Sequence, residues 1–79
     1  MHVIIRNPVR LIFEGFAKEA ILPGEDGELS VWDFHHALIT TLAKGYITLK
    51  SGKNLPAKEV EINSGVATLE RNELMILCL

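Results

Sequence analysis

The sequence predicts an all-β fold, a small antiparallel sandwich or barrel of roughly seven to ten short strands. Three observations predict it. Turn-forming residues recur about every 8–12 residues. The runs between them alternate apolar and polar side chains, clearest where Tyr46, Thr48 and Lys50 oppose Ile47 and Leu49. No stretch carries a helical i, i+3, i+4 apolar stripe of useful length.

Taken in order, residues 2–6 read as a first strand, ended by the turn pair Asn7 and Pro8. Residues 9–22 read as one longer extended stretch, in which Gly15 marks a bulge or a sharp bend. Residues 23–27 hold Pro23, Gly24 and Gly27, a loop by backbone chemistry. Residues 28–31 and 37–42 resume an extended character on either side of Trp32, Asp33, Phe34, His35 and His36. A turn at 43–45 leads into the alternating strand 46–50, and residues 51–54 read as a hairpin-like connection. Residues 58–63 alternate charge with Val60 and Ile62, and Ser64 with Gly65 reads as a bulge before 66–70. Arg71 and Asn72 form a two-residue hairpin turn. The closing strand, 73–79, is apolar on both faces, which requires it to be central or covered.

Composition bounds the function. A chain of 79 residues makes one small domain, and such a domain buries only roughly 60–65% of its unfolded surface. With 48% hydrophobic residues it carries surplus apolar surface, which points to an interface. The net charge of -2, with scattered Lys and Arg, argues against nucleic-acid binding. The single cysteine, Cys78, allows no internal disulfide and reads as a small buried hydrophobe. Neither a membrane-length apolar run nor a signal-peptide pattern occurs, so an intracellular soluble protein is expected.

Little in the chain suggests catalysis. Residues 23–27 have no P-loop lysine, and Glu25 and Asp26 would repel a phosphate. His35 and His36 point to opposite faces of an extended strand, so they do not share a metal. Asp33 and His35 share a face, but two ligands make a poor zinc site. Trp32 and Phe34 read as half-buried anchors. The residues by themselves describe a non-catalytic β domain that binds a partner.

The run GEDGELSV, with His35 eight positions after Gly27, resembles the N-terminal β-sandwich of the epsilon subunit of rotary F-type ATP synthases, called delta in mitochondria. Pro23, Gly24, Gly27, Glu28, Val31, His35, Leu38, Thr40, Leu42, Gly45 and Ile47 stand in matching positions. Glu14 with Gly15, and Ser64 and Gly65 with Ala67, Leu69 and Glu70, extend the match over nearly the whole chain. The chain departs from the family at Asp33 and Phe34, where the family has Pro-Gly, at Ala37 for a proline, and at Val66 for a glycine.

The resemblance implies an antiparallel sandwich over 1–79 acting as a non-catalytic rotor subunit. It would link the gamma subunit to the c-ring and couple proton or sodium transport to ATP synthesis. It implies c-ring-side contacts at Glu28, Val31 and Trp32, and gamma-side contacts at His35 and Thr40. No cofactor, metal or nucleotide is expected. Membrane association is expected only through the complex, at the cytoplasmic face. In the family a C-terminal helical hairpin follows, which can inhibit ATP hydrolysis, and no such hairpin is expected within residues 1–79. Two other readings compete: a stand-alone β-sandwich adaptor, since a fold alone does not fix function, and a small metal enzyme using Asp33, His35 and His36.

Overall fold

In the computed structural model, which describes residues 1–52 and 54–79, nine strands and no helix occur among the described residues. They are β1 (His2–Arg6), β2 (Leu11–Phe16), β3 (Glu19–Gly24), β4 (Gly27–Trp32), β5 (Leu38–Leu42), β6 (Gly45–Lys50), β7 (Lys58–Ile62), β8 (Gly65–Glu70) and β9 (Glu73–Cys78). Lys53, in the expected connection at 51–54, lies outside the described residues.

The strands form two layers that meet at a corner. One layer runs β2-β1-β9-β8-β5 and the other β4-β3-β6-β7. The corner is the pairing of Gly24 with Leu42, closed by Glu25 N–H donating to the Thr41 carbonyl (3.1 Å) and Ala43 N–H to that of Pro23 (2.7 Å). Alternation then supplies the core. Val3, Ile5, Ala67, Leu69, Leu74, Ile76 and Cys78 come from the first layer, and Ala20, Leu22, Val31, Ile47, Leu49, Val60 and Ile62 from the second. Each fully buried Leu, Ile or Val contributes about 1.5–3 kcal/mol relative to its exposed state.

The strand-level expectation holds for most elements, and four details differ. The stretch 9–22 is two strands, and the break falls at Ala17 and Lys18, where the chain crosses from one layer to the other. Lys18 N–H donates to the Lys50 carbonyl there at 2.8 Å. Gly15 lies inside β2, paired with Val3, and a Cβ on it would sit 2.9 Å from the Phe13 ring. The register slip falls between the Ile5–Phe13 and Arg6–Leu11 pairs, leaving Ile12 as the extra residue.

Residues 23–27 are a tight hairpin. Gly24 faces Gly27 across a turn made of Glu25 and Asp26, and Gly27 adopts φ 127, a region that only glycine occupies easily. Ser64 and Gly65 are no bulge but the crossing back to the first layer, with Gly65 opening β8. Finally, β1 and β9 run parallel, so the first layer is mixed where pure antiparallel pairing was expected. Strand β9 needs a second neighbour besides β8, and the start of the chain supplies it. The two-residue hairpin turn expected between β8 and β9 is there: Arg71 and Asn72, with φ 53 and 60, take the left-handed backbone of a type I′ turn.

Candidate partner-binding surfaces

The two outer faces of the sandwich differ in chemistry. Register fixes their rows. On the first layer, Ile4 pairs with Met75, Met75 with Thr68, and Thr68 with Ile39. The next row runs Leu11, Arg6, Leu77, Val66 and Thr41. Ile39 is 77% exposed and Leu77 47%, and Leu11 and Val66 are also exposed. An apolar stripe of this extent on an outer sheet face is the mark of an interaction site. The outward half of β9 contributes Met75 and Leu77 to this stripe, and the strand is central in its layer, as its two-sided apolar sequence allowed.

The opposite face carries charge. Trp32, Glu19 and Lys50 form one row, Ser30, Ile21, Thr48 and Glu59 the next, and Tyr46 pairs with Glu61. The Ser30 hydroxyl donates to Glu19 Oε2 at 3.1 Å. Beyond the strands, the β3–β4 hairpin tip projects Glu25, Asp26 and Glu28, all exposed.

At the end of the apolar stripe, His2 bridges three strands. Its Nε2 lies 2.9 Å from Glu14 Oε2 on β2, and its Nδ1 lies 3.1 Å from Glu73 Oε2 on β9. Carboxylates only accept, so both bonds form fully when the ring holds two protons. Glu73 first and then Glu14 raise the pKa of His2 above its ordinary value of 6.5 by hydrogen bonding. The Phe16 ring packs nearby, its centroid 5.2 Å from the imidazole.

The expected contact residues are spread over both ends of the sandwich. Glu28 is exposed near the hairpin tip, while Trp32, 56% exposed, ends the same strand. Three residues of strand lie between them, a span of roughly 13 Å at the usual rise. Val31 is completely buried and belongs to the core, opposite Ala20, so it has no surface to offer a partner. His35 is exposed in the loop 33–37 at the Trp32 end, and its Nδ1 donates to the His36 carbonyl at 2.9 Å. Thr40 pairs with buried Ala67 and lies on the core side of β5, so its neighbours Ile39 and Thr41 are the outward residues. Phe34 is not half-buried but 85% exposed.

Asp33 accepts an ion pair from the Met1 ammonium, which also donates to the Ala17 carbonyl at 2.7 Å. Its carboxylate is thereby engaged away from the histidines. Among the described residues no group of three His, Cys, Asp or Glu side chains is arranged to hold a metal ion, and no helix is long and apolar enough to cross a membrane. The outer-face residues Ile4, Ile39, Met75 and Leu77 were not singled out from sequence. The one available signal was the apolar outward face of β9.

The described residues thus form a two-layer sandwich with one apolar outer face, one charged face and an acidic hairpin tip. The particular family follows from comparison. The chain belongs to the ATP synthase delta/epsilon family: the profile described as ATP synthase, Delta/Epsilon chain, beta-sandwich domain matches residues 1–79. It is 33% identical over 78 residues to the chloroplastic ATP synthase epsilon chain of Emiliania huxleyi, covering 99% of this chain and 58% of that one. With the chloroplastic epsilon chain of Trieres chinensis it shares 34% over 77 residues, covering 98% and 56%. The chain therefore spans a little over half the length of these relatives.

Among solved structures it is similar to a chain of the Tetrahymena thermophila mitochondrial ATP synthase central stalk and c-ring, with a TM-score of 0.78 at 17% identity, covering 99% of this chain and 62% of that one. A chain of the Euglena gracilis mitochondrial ATP synthase gives 0.86 at 15% identity, covering 96% and 48%. At such identities these likenesses establish the shared fold.

Proposed function

We propose that this chain is a central-stalk rotor subunit of a rotary F-type ATP synthase. The outer face of the β2-β1-β9-β8-β5 layer seats on a gamma-type subunit, and the β3–β4 hairpin points its acids at the c-ring. Residues 1–79 act as one sandwich unit with no catalysis and no nucleotide of its own. The unit helps couple proton or sodium transport to ATP synthesis from the cytoplasmic side of the membrane, held there through the complex. The observation that carries this reading is the outward stripe of exposed Leu11, Ile39, Leu77 and Val66 with half-buried Ile4 and Met75 in a chain of this family. A partner that covers it removes from water the apolar surface that so small a fold cannot bury internally.

On the ring side, Glu28 at an exposed rim contributes about 0–1 kcal/mol and sets register more than affinity. His35 at the opposite end belongs with the gamma side, and Trp32 is placed away from Glu28. The test is binding of the 79-residue chain to the gamma-type subunit of the same organism, followed by reconstitution with the alpha–beta complex and the membrane sector. Micromolar or tighter binding, with restored ion-driven synthesis, supports the reading. A chain that binds neither gamma nor ring is a β-sandwich adaptor for something else.

A further inference from the structure

Three described residues other than glycine have positive φ: Phe34, Arg71 and Asn72. Arg71 and Asn72 form a turn type that demands it. Phe34, at φ 61, has no such excuse of residue type. Asparagine enters the left-handed region with little strain and glycine with none, whereas a bulky aromatic is a genuine outlier there. The strain is not offset by packing, since the side chain is 85% exposed.

The surrounding backbone nonetheless fixes this conformation. Phe34 N–H donates to Asn72 Oδ1 at 2.9 Å, His35 N–H to the Trp32 carbonyl at 3.1 Å, and Asp33 N–H to the Lys18 carbonyl at 3.0 Å. A large apolar ring is thus held out on a rigid loop, at a cost to the isolated fold. Strain that persists in this way belongs where a site uses it.

The bond to Asn72 also says where the Phe34 backbone stands. Asn72 lies in the β8–β9 turn, and the strand residues flanking that turn, Glu70 and Glu73, are paired on the same outer face as Met75, Thr68 and Ile39. Phe34 therefore stands at the β8–β9 turn end of that layer, beside Glu70 and Glu73 and one row beyond Met75, Thr68 and Ile39 of the face assigned above to the gamma-type subunit.

We propose that Phe34 is an anchor residue of that interface, an aromatic ring preorganised to enter an apolar pocket on the gamma-type subunit. The inference rests on the reading of the outer face as gamma-facing and adds the residue that sets affinity and partner choice. Rigid aromatic side chains lose little conformational entropy on binding and dominate interface energetics.

The decisive property is that stability and affinity move in opposite directions. In Phe34→Gly and Phe34→Asn the left-handed backbone is retained and the ring is lost. Both variants should melt at or above the wild-type temperature while binding the gamma-type subunit at least about tenfold more weakly. Phe34→Trp should restore affinity to within about threefold, because another large rigid ring re-enters the pocket. The measurements are thermal melts, calorimetric titration against the purified gamma-type subunit, and sedimentation of the chain alone.

If Phe34→Gly binds as tightly as wild type while Ile39→Asp does not, the anchor is refuted and the face assignment stands. If Phe34→Gly melts well below wild type, the ring is structural and the proposal fails. A wild-type dimer that dissociates on Phe34→Gly makes a second copy the occupant, and also overturns it. If wild-type chain does not bind gamma at all, the functional reading and this proposal fall together.

Discussion

His2 and Glu73 are direct partners across the parallel β1–β9 pair, and their side chains meet as well, Nδ1 to Oε2 at 3.1 Å. Glu14 holds the other ring nitrogen at 2.9 Å. The protonated ring therefore ties three strands together. Because the folded pKa is raised above 6.5, this contribution is fully present below 6.5 and is lost as pH rises through the folded value. Melting curves of wild type and His2→Ala between pH 5 and 9 should differ most at the acid end and converge above neutrality. A gap that does not change with pH would show that the ring acts by packing alone.

Gly65 predicts a local steric failure. A Cβ there would stand 2.8 Å from the Leu77 carbonyl oxygen and 3.2 Å from Cys78 Cα, and both are backbone. Gly65→Ala should destabilise the chain by about 1–3 kcal/mol, read from urea unfolding. An unchanged midpoint would mean that β8 and β9 separate freely at this point.

In the core, Ile76 is fully buried in the central strand of its layer. Ile76→Ala should cost about 2–5 kcal/mol. In a domain of this length that lowers the melting temperature by about 10 °C or more. A loss under about 1 kcal/mol would require the two layers to close over the gap almost completely.

On the outer face, Ile39→Asp should leave unfolding within about 0.5 kcal/mol of wild type and weaken binding to the gamma-type subunit by about tenfold or more. Glu59→Lys, on the charged face, is the matched control and should bind normally. Equal losses from both substitutions would contradict a single docking face.

At the hairpin tip, Glu28→Gln should reduce ring affinity by less than about tenfold, and the difference should vanish near 1 M salt, where charges are screened beyond about 3 Å. A larger effect that resists salt would place Glu28 in a desolvated contact instead.

Alternation made the strands legible: Tyr46, Thr48 and Lys50 lie outward and Ile47 and Leu49 inward, as the sequence pattern required. The same rule, applied from Leu29, places Val31 inside, whereas resemblance alone had offered it to a partner. The layer crossings were not legible. Lys18 and Lys50 meet through backbone groups 32 residues apart, and nothing local marks either one. Gly15 looked like the break because an isolated glycine usually is one, yet here it clears space for Phe13. In the pair Thr40 and Thr41, only register against Ala67 and Val66 decides which faces out. The apolar stripe was half visible, since β9 announced two apolar faces, but Ile4 and Ile39 join it only through topology.

The parallel pairing of β1 with β9 also governs how the protein is made. β1 with β2 and β8 with β9 are local hairpins, but only the β1–β9 contact unites them into one layer. A ribosome must therefore deliver residues 73–78 before β1, synthesised well earlier, finds its second neighbour. Until then β1 carries an open hydrogen-bonding edge beside Val3 and Ile5, side chains that the finished fold seals completely. Such non-local closure belongs to the slower, millisecond-to-second class of folding. Nascent chains halted before β9 should stay open to proteases, and they become protected in a single step once that strand emerges.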